Sequence, residues 1–171
     1  LAWEEIRRLW KPARRRAPAG RHIALVGFMG AGKTTVGREL AELMGRPFVD
    51  TDHDIEAAAG STVPTIFARR GEAAFRDLEK SAVAEAARAD RRESVIAVGG
   101  GAVLDPANRR LLSENCRTVW LWVPAGTAVL RIDVATRPVL DPGGPLASAT
   151  GTLAARLPLY AAASALIVNA S

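Results

Sequence analysis

The sequence predicts an α/β protein in which about five parallel strands form one sheet, with helices on both faces and a mobile lid. Short apolar runs, such as residues 23–26 and 95–98, alternate with helical patterns, as buried parallel strands do in an α/β sheet. A glycine-rich turn follows the first run directly. A stretch rich in Gly, Pro and Ala near residue 140 indicates a surface loop of the lid type.

Length and composition indicate one globular domain. The chain has 171 residues, of which 49% are hydrophobic and 24% are charged. Its single cysteine, Cys116, excludes an internal disulfide framework and favours a reducing compartment such as the cytoplasm. No apolar run approaches the ~18 residues that a membrane-spanning helix needs. We therefore expect no membrane partner.

The positive charge is concentrated at the amino terminus. Residues 1–22 contain seven Lys or Arg and two acids, a net charge of +5, which equals the net charge of the whole chain. The remainder is neutral by subtraction, so we expect no nucleic-acid partner. Apolar residues at helical spacing predict a short helix within residues 2–10, before a Pro- and Gly-containing linker. We interpret residues 1–21 as a basic, solvated extension that docks loosely on a domain formed by residues 22–171.

A phosphate-binding loop follows the first predicted strand. Residues 27–34, with the sequence GFMGAGKT, match the pattern G-x-x-x-x-G-K-[ST] at every fixed position, and a helical pattern follows them. Glycines let backbone N–H groups surround phosphate oxygens, and the helix amino terminus adds its positive dipole end. Lys33 suits the β- and γ-phosphates and is expected to be catalytic, and the Thr34 hydroxyl suits Mg²⁺. The residues expected to bind ATP here are Gly30, Ala31, Gly32, Lys33, Thr34 and Thr35.

Two carboxylates, Asp50 and Asp52, follow the second predicted strand at residues 47–50. The carboxyl end of a strand is where open α/β sheets bind ligands. We expect Asp50 to hold Mg²⁺ through water. Asp52 either receives or orients a substrate hydroxyl proton, or caps the helix that follows. The spacing alone leaves both roles open.

Six motifs in the right order resemble the shikimate kinase family, over about residues 22–169. They are GAGKTT at 30–35, DTD at 50–52, GEAAFRDLE at 71–79, GGG at 99–101, RPVL at 137–140 and RLPLY at 156–160. A P-loop alone indicates only a superfamily, whereas the six motifs together are specific. The resemblance implies a P-loop kinase fold of the nucleoside-monophosphate-kinase type.

The resemblance also implies roles for three arginines and one glycine. Arg76 and Arg156 are implied to bind the substrate carboxylate, and the N–H of Gly100 to contact the substrate. Arg137 is implied to be catalytic and to bind ATP, at the start of a lid over about residues 137–152. From the residues alone, Arg76 equally fits a helix arginine with local ion pairs, and Arg137 and Arg156 fit surface arginines.

The expected function is phosphoryl transfer from ATP to the 3-hydroxyl of shikimate, for aromatic amino acid biosynthesis. Mg²⁺ is the expected cofactor. We expect the protein to be a monomer and to lie in the cytoplasm, or in a plastid if the source is a plant. Two alternatives remain, a sister kinase for another small hydroxy acid such as gluconate and a non-catalytic nucleotide-binding relative. The pair of Arg76 and Arg156 disfavours the first, and intact Lys33 and Asp52 disfavour the second.

Overall fold

The computed structural model describes residues 3–10, 22–88, 90–134 and 137–171. The helices are α1 (Trp3–Leu9), α2 (Lys33–Met44), α3 (Thr51–Ala59), α4 (Val63–Ala86), α5 (Pro106–Asn115), α6 (Ala125–Leu130) and α7 (Pro145–Ala163). The strands are β1 (His22–Val26), β2 (Phe48–Asp50), β3 (Val95–Ala97), β4 (Cys116–Trp122) and β5 (Leu166–Asn169), in the order β2-β3-β1-β4-β5. Every pairing is parallel, which confirms the predicted fold class. Within the described ranges, no helix is both long and apolar enough to cross a membrane.

The strand order places a crevice at the carboxyl edge of the sheet. From the central strand β1, α2 leads to β2 on one side, whereas from β3, α5 leads across β1 to β4 on the other side. Right-handed crossovers that run in opposite directions put their helices on opposite faces, so α2 and α5 cover different faces. The turns that follow β1 and β3 therefore flank the crevice in which such sheets bind ligands.

The two tryptophans of β4 are packing residues, as their alternation in the strand predicts. Trp120 and Trp122 are both buried. The ring of Trp120 stacks on that of Tyr160 with centroids 5.8 Å apart, and the ring of Trp122 lies 5.6 Å from that of Trp3. Residues two apart in a strand point to the same face of the sheet, so both α7 and α1 contact this face of β4.

Helix α1 is more closely packed than we expected from a solvated extension. The Ile6 side chain is only 2% exposed and belongs to the main hydrophobic core, against which Trp3 and Trp10 also pack. The interpretation as a loosely docked segment is therefore wrong for residues 3–10, because their apolar face finds a complementary surface that includes Trp122. Residues 11–21, the predicted linker, lie outside the described residues, and the domain boundary there remains a prediction.

The second half of the predicted lid is helical. Helix α7 begins at Pro145, so the irregular part of residues 137–152 ends at residue 144. Proline is favourable in the first turn of a helix, where its fixed φ is suitable and its missing N–H is not needed. The loop itself is anchored by the buried Leu140 and by a hydrogen bond from the Asp141 N–H to the Ser148 hydroxyl, at 3.1 Å. Movement of this loop stays a prediction.

We predict that α1 contributes to the stability of the whole domain. Ile6→Ala should lower the free energy of unfolding by about 2–4 kcal/mol, because it leaves a cavity in the core. Urea unfolding of the full chain measures this loss. Arg7→Ala, on the same helix with its side chain 59% exposed, is the matched control and should change stability little. Equal effects of the two substitutions would contradict the packing of α1.

Candidate active site

The turn after β1 needs glycine at three positions, for the sign of φ at all three and for lack of space at two of them. Gly27, Gly30 and Gly32 all have positive φ, at 148°, 73° and 83°. A Cβ at Gly27 would collide with the carbonyl oxygen of Leu121, and one at Gly30 would lie 2.6 Å from the carbonyl oxygen of Ala128. This loop therefore packs tightly against neighbouring backbone and leads directly into α2, whose amino terminus favours anions.

Lys33, the first residue of α2, folds back over the phosphate-binding loop. Its Nζ donates hydrogen bonds to the carbonyl oxygens of Gly27, at 3.0 Å, and Phe28, at 3.1 Å. Burial lowers the pKa of the Lys33 ammonium to about 8, although the Asp52 and Asp50 carboxylates oppose this shift. The ammonium thus lies in a site of low polarity with two carboxylates nearby.

Asp50, rather than Asp52, caps helix α3. Its Oδ1 accepts a hydrogen bond from the Asp52 N–H at 3.2 Å, and its Oδ2 accepts one from the Thr34 hydroxyl at 2.7 Å. One carboxylate therefore both starts α3 and joins the second strand to the phosphate-binding loop. Of the two roles that spacing left open for Asp52, the structure assigns capping to Asp50.

The Asp52 carboxylate lies where two cavities meet. Its Oδ1 is buried and has no hydrogen-bond partner in the described part of the chain. Burial raises the pKa of the Asp52 carboxyl, and the Lys33 ammonium opposes that shift. The cavity on the P-loop side has a volume of about 690 Å³, counting the space at its mouth that is open to solvent. The adjoining cavity has a volume of about 480 Å³ by the same measure. Residues that line both are Met29, Asp52, Gly100 and Arg137.

The second cavity contains Arg76 and Arg156, which lie far apart in the sequence. Arg76 donates to Glu72, with Nη2 2.8 Å from Oε1, and to Glu79, with Nη1 2.7 Å from Oε2. The local ion pairs expected on residue type alone are thus present, and the guanidinium still borders the cavity. Glu79 is only 2% exposed, and burial raises the pKa of its carboxyl against the opposing effect of Arg76.

Glu79 is a site residue that sequence reasoning quoted only as part of a motif. It lies three residues after Arg76 on α4, so the two side chains share one face of the helix. That spacing was the one feature of the sequence that could have indicated an Arg76–Glu79 pair. Burial of Glu79 beneath the guanidinium depends on tertiary packing, which the spacing does not specify.

The glycine triplet after β3 lets three charged side chains approach the backbone. A Cβ at Gly99 would lie 2.5 Å from Oε1 of Glu79 and 2.7 Å from Oδ1 of Asp52, and one at Gly101 would collide with the guanidinium of Arg76. Any larger residue at these positions would displace the carboxylates or the arginine. The first and third glycines of the triplet therefore make room for the charged side chains of the site.

The carbonyl oxygen of Gly100 is held by two side chains from α7. It accepts hydrogen bonds from the Tyr160 hydroxyl, at 2.5 Å, and from Nη1 of Arg156, at 3.2 Å. Arg156 is only 6% exposed, so it is not the surface arginine that its residue type suggests. Tyr160 was also missed as a site residue, although its place four residues after Arg156 puts both on one face of the helix.

Two further arginines border the P-loop cavity. Arg137 lines both cavities, and its Nε is buried without a partner among the described residues. Arg131 lines the P-loop cavity, and its Nη1 donates to the carbonyl oxygen of Ala170 at 2.7 Å. The arrangement can bind phosphate groups beside a second, anionic molecule, and it presents a carboxylate between them.

Comparison with known proteins agrees with this geometry. The family model for shikimate kinase matches residues 29–171. A shikimate kinase from Symbiobacterium thermophilum is 48% identical over 84% of this chain and 83% of its own length. One from Ruegeria pomeroyi is 43% identical over 86% of this chain and 75% of its own length.

Solved structures give the same result. Shikimate kinase from Acinetobacter baumannii in complex with shikimate is 39% identical, covers 88% of this chain and 84% of its own, and has a TM-score of 0.83. Shikimate kinase from Bacteroides thetaiotaomicron is 35% identical, covers 89% of this chain and 88% of its own, and has a TM-score of 0.79. The chain belongs to the shikimate kinase family.

Proposed function

We propose that this chain transfers the γ-phosphoryl group of ATP to the 3-hydroxyl of shikimate and releases shikimate 3-phosphate and ADP. The observation that carries the proposal is the meeting of a P-loop cavity and an arginine-containing cavity at one carboxylate, that of Asp52. Family membership and the similar structure that holds shikimate support it. The product serves aromatic amino acid biosynthesis.

The P-loop binds the triphosphate of ATP. Backbone N–H groups of Gly30, Ala31 and Gly32, and those of the first turn of α2 through Thr35, surround the phosphate oxygens. Lys33 exchanges its two carbonyl acceptors for β- and γ-phosphate oxygens. Because the ammonium is taken from a poorly solvated site, its attraction to the phosphates is stronger than it is in water.

The Thr34 hydroxyl and the Asp50 carboxylate fit Mg²⁺. Their oxygens are 2.7 Å apart and border the P-loop cavity. Mg²⁺ prefers oxygen ligands and takes only one or two from the protein, with phosphates and water as the others. Thr34 and Asp50 are the residues that would hold the ion, which would supply positive charge beside the phosphates.

The acceptor cavity suits a small carboxylated polyol. The carboxylate binds to Arg76 and Arg156, because a guanidinium offers a planar fork of N–H donors to a planar acceptor. Arg76 uses three of its N–H donors on Glu72 and Glu79, which hold the remaining two in place for the substrate. The N–H of Gly100 contacts the same molecule.

Asp52 receives the hydroxyl of the acceptor. Its Oδ1 has no partner and lies between the cavities, so it orients the 3-hydroxyl towards the γ-phosphate and accepts its proton. The positive charge of Arg137 stabilises the negative charge on the phosphoryl group in the transition state. Phosphoryl transfer depends mainly on such electrostatic stabilisation and on positioning. A monomer and a cytoplasmic or plastid location stay predictions.

We expect ADP release from ATP and Mg²⁺ to depend on shikimate. Gluconate, quinate and the absence of an acceptor should each give only background release, and excess EDTA should abolish the reaction. A coupled ADP assay measures all of these rates. ADP release with gluconate but not with shikimate would indicate the sister kinase. Tight ATP binding without any ADP release would indicate the non-catalytic relative.

Asp52→Asn should lower kcat by at least about 100-fold, because the amide cannot accept the hydroxyl proton. ATP binding, measured by fluorescence titration, should stay close to that of the wild type. Asp54→Asn, two residues later on the same helix and exposed, is the matched control and should keep full activity. An unchanged kcat for Asp52→Asn would exclude the role assigned to this carboxylate.

Arg76→Lys should raise KM for shikimate by about tenfold or more, since it keeps the charge that Glu79 needs but loses the planar fork. KM for ATP should not change. Steady-state kinetics with each substrate varied in turn separates the two effects, and Arg70→Lys on the exposed face of α4 is the control. A rise in KM for ATP alone would contradict the acceptor-binding role.

A further inference from the structure

The carbonyl oxygen of Gly100 is the point at which α7 contacts the glycine triplet. It accepts a 2.5 Å hydrogen bond from the Tyr160 hydroxyl and a 3.2 Å hydrogen bond from Nη1 of Arg156. A backbone carbonyl oxygen has two lone pairs, so the two donors use its full capacity. The shorter bond belongs to Tyr160, which has no part in the function proposed above.

Tyr160 is a rigid donor. The residue is fully buried, and its ring stacks on Trp120 with centroids 5.8 Å apart and planes 24° apart. Burial raises the pKa of the Tyr160 phenol to about 12, so the hydroxyl carries its proton at any pH at which a kinase works.

The Arg156 guanidinium has several neighbours, among them the Tyr160 hydroxyl, with which it also interacts directly. It donates to Gly100 at 3.2 Å, and it borders the cavity proposed for the acceptor carboxylate. A turn of the guanidinium towards a carboxylate would lengthen this contact, which is already the longer of the two hydrogen bonds to the Gly100 carbonyl. A carbonyl left without any partner would oppose that movement, because an unpaired polar group is costly in a buried place.

We propose that Tyr160 is a positioning residue for the acceptor: its hydroxyl keeps the Gly100 carbonyl paired and so leaves Arg156 free to bind the acceptor carboxylate. The same bond holds Gly100 at the boundary of the two cavities, where a Cβ on this residue would lie 3.4 Å from the backbone nitrogen of Met29. The inference rests on the proposed function, because it requires that Arg156 bind the carboxylate of the acceptor.

Tyr160→Phe removes the hydroxyl and keeps the ring that stacks on Trp120. KM for shikimate should rise about tenfold, since Arg156 is then left to pair the Gly100 carbonyl without the Tyr160 hydroxyl. KM for ATP and kcat should stay within about twofold of the wild type, as the P-loop is not touched. Thermal melting of each variant shows that the protein is folded under the assay conditions.

Ser164→Ala is the matched control. It removes another short buried hydrogen bond at the end of α7, but it does not contact Gly100. This variant should lose stability and keep both KM values. If Ser164→Ala raised KM for shikimate as much as Tyr160→Phe does, the effect would come from loosening α7, and the proposal would be wrong.

A double-mutant cycle with Arg156→Lys tests whether Tyr160 acts through Arg156. Arg156→Lys alone should raise KM for shikimate, and adding Tyr160→Phe to it should cost less than about twofold more. Additive effects, or an unchanged KM for Tyr160→Phe alone, would overturn the inference and leave the proposed function intact. An unchanged KM for Arg156→Lys would instead contradict the proposed acceptor site itself.

Discussion

The candidate site depends on the close approach of backbone at two glycine-rich turns. After β1, a methyl group at Gly30 would lie 2.6 Å from the carbonyl oxygen of Ala128. After β3, a methyl group at Gly99 would lie 2.5 Å from a carboxylate oxygen of Glu79. The turns are adjacent at the carboxyl edge of the parallel sheet. The first turn thereby packs against neighbouring backbone, and the second leaves space in which charged side chains meet.

Those charged groups are arranged in opposite-sign sets that leave some donors and acceptors for ligands. Lys33 lies near Asp50 and Asp52, and Arg76 lies on Glu79. Burial lowers the pKa of Lys33 and raises the pKa of both Asp52 and Glu79, while neighbouring groups of opposite charge oppose each shift. The Asp52 Oδ1 remains without a partner in the described chain, as expected of an atom that acts on a substrate hydroxyl.

Helix α7 connects this charge arrangement to the core. It brings Arg156 and Tyr160 to the Gly100 carbonyl, while the ring of Tyr160 packs on Trp120 of the sheet. Aromatic packing in the middle of the domain therefore supports the position of Arg156, the arginine that we propose to bind the acceptor. Substitutions in that core are expected to change acceptor binding before they change nucleotide binding, because the P-loop is supported by other contacts.

The sequence alone was enough for the five parallel strands and the phosphate-binding loop, because both depend on local patterns: apolar runs of strand length and a fixed glycine spacing before a helix. It did not decide which of two nearby acids caps α3, how far the lid is helical, or that Ile6 is buried. It also missed Glu79 and Tyr160 as members of the site. The cap of α3 is a local bond, but the choice of Asp50 goes with its second bond to Thr34 on the phosphate-binding loop. The burial of Ile6 and Glu79 and the pairing of the Gly100 carbonyl depend on partners distant in the chain, and only the tertiary structure brings such partners together.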